Sequence, residues 1–144
     1  ETIEGREYYA HRNGATRALP PEYFQGHPVF SHTGQPVLLP SSLGRASYLC
    51  AATAGCRGSY YSSCHGVGRR VDRGEARERF KAEEVFDEAR SARMKIYDYG
   101  KGKAQEESPF AFKDVEEVLG TMERSGIASP VARMRPLAAL KGWR

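Results

Sequence analysis

Apolar residues at Val115, Val118, Leu119 and Met122 fall at i, i+3, i+4 and i+7, the spacing of one face of an α-helix. The pattern predicts a helix over about Lys113–Arg124 that buries this stripe as core and stops at Gly126. A second helical stretch is predicted from about Arg73 into the Glu83–Arg93 region, broken near Ala82. Asp72 reads as its N-cap, with Glu75 three residues on as the acidic partner. Elsewhere the apolar runs are short. Pro36–Pro40, Ala46–Ala52, Ser59–Cys64 and Lys95–Tyr99 read as strands, the second and third joined by a turn holding Gly55 and Gly58. The tail Val131–Leu140 ends as a strand carrying Lys141. Glu1–Tyr9 reads as the end of a strand or a loop entering His11. Leu19–His32, with Pro20-Pro21, Gly26 and Pro28, is expected to be an irregular loop, and Gly100–Pro109 an exposed one. No repeat or low-complexity stretch interrupts the chain, which is therefore expected to be one α+β unit.

Size and composition narrow this. A chain of 144 residues has room for one domain with a real core and hardly for two. Its apolar content of 40% and mean hydropathy of −0.62 describe an ordinary water-soluble protein. No run approaches the length of a membrane span and no signal peptide opens the chain, so the expected compartment is the cytoplasm. The missing initiator methionine points to a fragment or a processed chain. A net charge of +4 suits a polyanionic partner without requiring one; a slightly basic enzyme fits equally. The three cysteines lack C-x-x-C spacing, which argues against a zinc site or a disulfide framework. His27 and His32 flank a Pro/Gly loop and are expected to be exposed, with no ligand role.

The chemistry concentrates in Cys64-His65-Gly66-Val67-Gly68-Arg69-Arg70. Glycine lets a phosphate approach main-chain N–H groups, and arginine neutralises its oxygens in forked pairs. The histidine beside them is a side-chain nucleophile, and imidazole suits that task near neutral pH. Cys64 and His65 are adjacent on an extended segment and point to opposite faces, so they are not expected to bond each other; Cys64 is expected to be buried and inert. A glycine-rich turn with a solvated arginine pair has the same composition. Other segments favour the first reading.

The runs His11–Ala18 (HRNGATRA), Gly34–Tyr48 (GQPVLLPSSLGRASY), Ser63–Arg73 (SCHGVGRRVDR), Ser108–Val118 (SPFAFKDVEEV) and Pro136–Gly142 (PLAALKG) occur in one order. That order and those patterns resemble the C-terminal part of the RtcB-type RNA-splicing ligases. The likeness spans nearly all of residues 1–144 and implies the C-terminal part of one mixed α+β catalytic domain, with two or three helices. Such enzymes join an RNA 3′-phosphate, or 2′,3′-cyclic phosphate, to a 5′-hydroxyl end, as in tRNA splicing and RNA repair. Attaching GMP turns the 3′-phosphate into an anhydride whose other half can leave.

By position in the motif, the resemblance implies that His65 attacks the α-phosphate of GTP and becomes guanylylated. His11 matches a family histidine that binds a divalent metal, usually Mn2+. The resemblance implies further ligands, a cysteine, an aspartate and two more histidines, from family sequence that precedes this segment. Arg12 would reach the nucleotide. Pro40, Ser41, Ser42, Leu43 and Ser47 lie in the segment that cradles GMP. Gly66, Val67 and Gly68 would offer backbone contacts to it, Phe112 a stacking ring where the family commonly has tyrosine, and Lys141 a contact from the Lys-Gly end. Arg69, Arg70 and Arg73 are candidates for RNA phosphates. Asn13, Ser41, Leu43 and Asp72 replace a usual lysine, glycine, methionine and serine, and Trp143-Arg144 extends past the usual end. Ser41 puts a side chain where the nucleotide approaches the backbone. The expected partner is RNA, as tRNA halves or cleaved RNA ends, with no membrane; a helper protein and the oligomeric state are left open. The alternative class is a non-catalytic RNA- or nucleotide-binding module that keeps the fold without a complete metal site.

Overall fold

The computed structural model describes residues 1–98 and 104–141. Glu4-Gly5 closes a minimal hairpin of β1 (Thr2–Ile3) and β2 (Arg6–Glu7), after which β3 (Ala15–Arg17) begins. The stretch expected to be irregular holds two short helical pieces, a 3-10 turn at Pro21–Phe24 and α1 (Phe30–Thr33). Pro21 opens the first because its fixed φ and missing N–H suit a first turn. His27 organises the second: its Nδ1 accepts from the N–H groups of Val29 at 3.2 Å and Phe30 at 3.0 Å. Both His27 and His32 are exposed.

β4 (Pro36–Leu39) and β5 (Ser47–Ala52) follow, each alternating so that Val37, Leu39, Tyr48, Cys50 and Ala52 are buried. A 3-10 segment, Ala54–Ser59, rather than a simple turn, leads into β6 (Ser62–Cys64). Helix α2 (Arg73–Arg79) starts at Asp72, whose carboxylate accepts from the Glu75 N–H at 2.9 Å. The Glu75 carboxylate pairs with Arg79 at 3.3 Å. The chain breaks at Phe80, which is extended, and resumes as α3 (Ala82–Ser91). β7 (Lys95–Asp98) comes next; Tyr99 and the start of the predicted exposed loop lie outside the described residues. The rest of that loop is not exposed. Ala104–Glu107 and Pro109–Ala111 form 3-10 turns in which Glu106, Ser108, Pro109 and Ala111 are buried.

Asp114 caps α4 (Val115–Arg124), its carboxylate accepting from the N–H groups of Glu116 at 2.8 Å and Glu117 at 3.2 Å. The stripe reads as predicted, with Val115, Leu119 and Met122 buried and Val118 half-buried. β8 (Ala128–Met134) and β9 (Ala138–Lys141) are the last elements among the described residues. Sheet orders are β1-β2, β3-β6, β4-β5-β8 and β7-β9, the last pair parallel with Lys95 opposite Ala138. No helix among the described residues is long and apolar enough to cross a membrane.

Two compact units result, one of Glu1–Leu39, Leu49–Gly66 and Leu119–Ala132, the other of Pro40–Tyr48, Val67–Val118 and the tail from Arg133. The first buries Leu39, Cys50, Cys56 and Met122 almost completely. In the second, α3 presents Val85 and Ala89 to Leu43 and Met94, with Ala92, Ile96 and Ala139 packed around them. Met122 is 2% exposed. Met122→Ala should therefore cost about 2–5 kcal/mol, the range for truncating a buried large side chain, in chemical denaturation. Val131→Ala, at a side chain 63% exposed, should change stability by less than about 0.5 kcal/mol.

Candidate functional site

In the first unit, β3 and β6 pair antiparallel with Ala15 opposite Cys64, Thr16 opposite Ser63 and Arg17 opposite Ser62. One step beyond the ladder, the His65 N–H donates to the Gly14 carbonyl at 3.3 Å. Gly14 holds φ at +72°, a left-handed conformation that favours glycine. The pairing thus carries the His11–Gly14 loop up to His65, and both imidazoles are exposed.

Arg12 is engaged within this unit. Its Nε donates to Ser62 Oγ at 2.9 Å, and Nη1 and Nη2 grip the Glu1 carboxylate at 2.8 and 2.6 Å. That guanidinium holds the Glu1 carboxyl below its ordinary range. All three cysteines are free thiols. Burial pushes the Cys50 thiol up and that of Cys56 up to about 11. Cys64 differs from expectation: it is half-buried at the strand end rather than fully buried.

In the second unit, three separated segments meet along their backbones. The Val67 N–H donates to the Pro40 carbonyl at 3.3 Å, the Arg70 N–H to Ala111 at 2.8 Å and the Lys113 N–H to Gly68 at 3.1 Å. Arg69 and Phe112 form an isolated antiparallel bridge. Gly68 sits at φ +74° against the Lys113 side chain, another position that favours glycine. The Pro40–Ser47 loop is pinned by the Ser41 N–H, which donates to Ser47 Oγ at 3.1 Å. Leu43 and Val67 are buried, so what they can offer a ligand is main chain.

These segments line a groove of about 330 Å³ whose wall includes Ser41, Ser42, Arg45, Arg70, Phe112 and Lys113. Phe110 also lines it and is half exposed, at 54%. The Ser41 hydroxyl oxygen is buried and has no hydrogen-bond partner, an arrangement that marks a place for a ligand or water. Three cations, two phenyl rings and an unsatisfied hydroxyl, with Asp114 in the wall and Arg45 already 3.5 Å from Glu88, are groups that could hold a ligand both aromatic and anionic. Arg45, Phe110 and Lys113 were not singled out in the sequence. Only Lys113 carried a signal, as the neighbour of Phe112 in the Phe-Lys-Asp run.

Each candidate RNA arginine already faces a carboxylate. Arg69 lies 3.9 Å from Glu107, Arg70 3.2 Å from Glu117 and Arg73 3.5 Å from Glu106. The Arg70–Glu117 pair is 55% and 72% exposed, and such pairs are worth only about 0–1 kcal/mol, so a phosphate can compete for that arginine. Arg69 is held more firmly. Its guanidinium stacks on Phe112 at 4.3 Å, and its Nη1 is buried without a partner. One face of the Phe112 ring is therefore covered, and a base could stack only on the other.

Lys141 pairs through its backbone with Asp98, and its side chain lies outside the described residues, as do residues 142–144. No group of three or more His, Cys, Asp or Glu side chains that could hold a metal occurs among the described residues. His11 alone does not make a metal site.

Residues 1–142 match the protein family described as tRNA-splicing ligase RtcB. The chain is 39% identical over 140 residues to the tRNA-splicing ligase RtcB of Pyrococcus furiosus, covering 92% of this chain and 14% of that protein. It is similarly 39% identical to the protein of that name from Methanocaldococcus jannaschii, covering 97% and 15%. The RNA-splicing ligase RtcB of Mycobacterium tuberculosis is 36% identical, covering 95% and 32%. The chain thus spans between 14% and 32% of the length of these curated relatives.

The three thiols differ enough in burial to be told apart chemically. At pH 8, iodoacetamide should modify Cys64 while Cys50 and Cys56 stay unmodified, as read by peptide mass mapping. Because burial raises their pKa, raising the pH toward about 11 should begin to expose Cys56 as thiolate, and unfolding should release both.

Proposed function

Because the chain belongs to the tRNA-splicing ligase RtcB family, we propose that the protein of which it forms part joins RNA ends through a guanylylated histidine. The observation that supports this best is the β3–β6 pairing with its His65–Gly14 hydrogen bond, since it carries two motifs far apart in sequence to one place. His65 is the proposed nucleophile. Its imidazole nitrogen attacks the α-phosphorus of GTP, a P–N bond forms, and the bond to pyrophosphate breaks. The guanylate then moves to an RNA 3′-phosphate, freeing His65, and a 5′-hydroxyl displaces GMP as the phosphodiester forms.

The proposed nucleotide contacts in the second unit are the groove cations Arg45, Arg70 and Lys113, the Ser41 and Ser42 hydroxyls and the uncovered face of Phe112, together with the main chain of Val67 and Gly68. Phosphate oxygens would meet fixed N–H donors and guanidinium forks rather than mobile water, which stabilises charge as it develops. GTP as donor, Mn2+ as the ion and Lys141 as a nucleotide contact are carried over from the family resemblance. His11 is the ligand this chain would contribute to such an ion. The proposed RNA contact is Arg73, with Arg70 shared between RNA and nucleotide because it lines the groove, and Arg69 shared through its stack on Phe112. RNA is the proposed substrate and the cytoplasm the proposed compartment.

Labelling tests this directly. The full-length protein incubated with α-labelled GTP and Mn2+ should acquire acid-labile, base-stable label. His65→Ala should abolish it and Cys64→Ala should retain most of it; label persisting on His65→Ala would remove the assignment of the nucleophile. Arg69→Ala should also lower labelling, because it strips the support from Phe112, whereas Arg73→Ala should leave labelling intact.

A further inference from the structure

Glu106 lies in the Ala104–Glu107 turn, beneath α2. Its side chain is 10% exposed, and its two oxygens divide between two arginines, Oε2 at 3.5 Å from Arg73 Nε and Oε1 at 3.2 Å from Arg77 Nη1. Those arginines stand four residues apart on α2, one turn along the same helix face. Their side chains are 70% and 53% exposed. The negative charge is therefore inside and the two positive charges are outside. The carboxylate takes one edge of each guanidinium, and the remaining N–H groups of each fork stay available to a second anion.

Without this anchor, two exposed arginines one helical turn apart would repel each other and sample many rotamers. With it, they form a pre-oriented pair of forks suited to successive phosphates of a nucleic-acid strand. We propose that Arg77 is a phosphate-contacting residue beside Arg73, and that Glu106 is the positioning residue that aims both at the RNA backbone. The proposal rests on the reading of the α2 region as the RNA face, and extends it to a residue and a role that the motif does not contain.

Charge and positioning make opposite forecasts for the same substitution. If Glu106 were merely a carboxylate near the RNA path, removing its charge would tighten RNA binding. As a positioning residue, its loss should weaken binding. The test is equilibrium binding of a short single-stranded RNA to the full-length protein across a salt series, with thermal unfolding recorded for each variant. Arg77→Ala should weaken binding as Arg73→Ala does, each reducing the slope of log K against log salt by about 0.7. Glu106→Gln should weaken binding by about 3- to 10-fold and reduce that slope. Glu106→Asp, which keeps the charge, should restore part of the loss. In the Arg73→Ala/Arg77→Ala background, Glu106→Gln should have no further effect.

Tighter or unchanged binding by a folded Glu106→Gln overturns the positioning role. Unchanged affinity and slope for Arg77→Ala, with Arg73→Ala weakened, overturns the new contact. Should Glu106→Gln not fold, Arg77→Lys decides. It keeps the charge but loses the fork, so it should weaken binding, and wild-type affinity would overturn the proposal. If neither Arg73→Ala nor Arg77→Ala moves the affinity, the RNA-face reading itself fails, and the proposal fails with it.

Discussion

The antiparallel pairing of β3 with β6 decides where His65 can be, because side chains along a strand alternate with period two and a slip of one residue would exchange the faces. With Ala15 opposite Cys64, the ladder ends where the glycine-rich turn begins, and the next N–H reaches the Gly14 carbonyl. Gly14 accepts that position because its backbone is left-handed. His65, the proposed nucleophile, thus sits at the rim of a paired element rather than within one, exposed but with its main chain fixed. In that proposed role, a mobile histidine would have to be ordered in every turnover, whereas the main chain of this one is held by the fold.

The second unit meets a different constraint, how to hold several cations close together along one groove. Main-chain bonds from Val67 to Pro40, Arg70 to Ala111 and Lys113 to Gly68 build the groove wall from segments with no local reason to meet. Glutamates then hold the arginines. Where both partners are exposed, as in Arg70–Glu117, the pair is weak and leaves the arginine open to competition. Where the carboxylate is buried, as at Glu106, it stays in place and aligns the arginines above it. The Arg69–Phe112 stack ties the glycine-rich turn to the groove, since its guanidinium supports a ring in the groove wall.

Elements with a strong period were legible in the sequence. The stripe of α4, the Asp72 cap and break of the α2–α3 stretch, and the strands β4, β5 and β7 follow from local spacing and capping chemistry. The helical pieces within Leu19–His32 were not, because a four-residue helix has too few turns to show a period, and proline and glycine mask it. The burial of Glu106, within a stretch whose composition predicts an exposed loop, was hidden for a physical reason as well. A Glu-Glu run in a polar loop looks exposed unless the arginines that compensate it are known to be near, and those come from α2, far off in sequence. Of the candidate site, the motif supplies His65, Phe112 and the arginines as candidates; the groove lining adds Arg45, Phe110 and Lys113, and Leu43 is turned into the core.

The register of β3 against β6 can be measured without any substrate. Directly opposed residues of an antiparallel pair have Cα atoms about 4.5–5.5 Å apart, within the range a disulfide spans. In the full-length protein, Ala15→Cys should close a disulfide with Cys64 under mild oxidation, seen as a linked peptide in non-reducing mass mapping. Thr16→Cys, whose side chain leaves the opposite face, should not link to Cys64. Linkage from position 16 with none from position 15 would contradict the register, and with it the placement of His65 beside the His11–Gly14 loop.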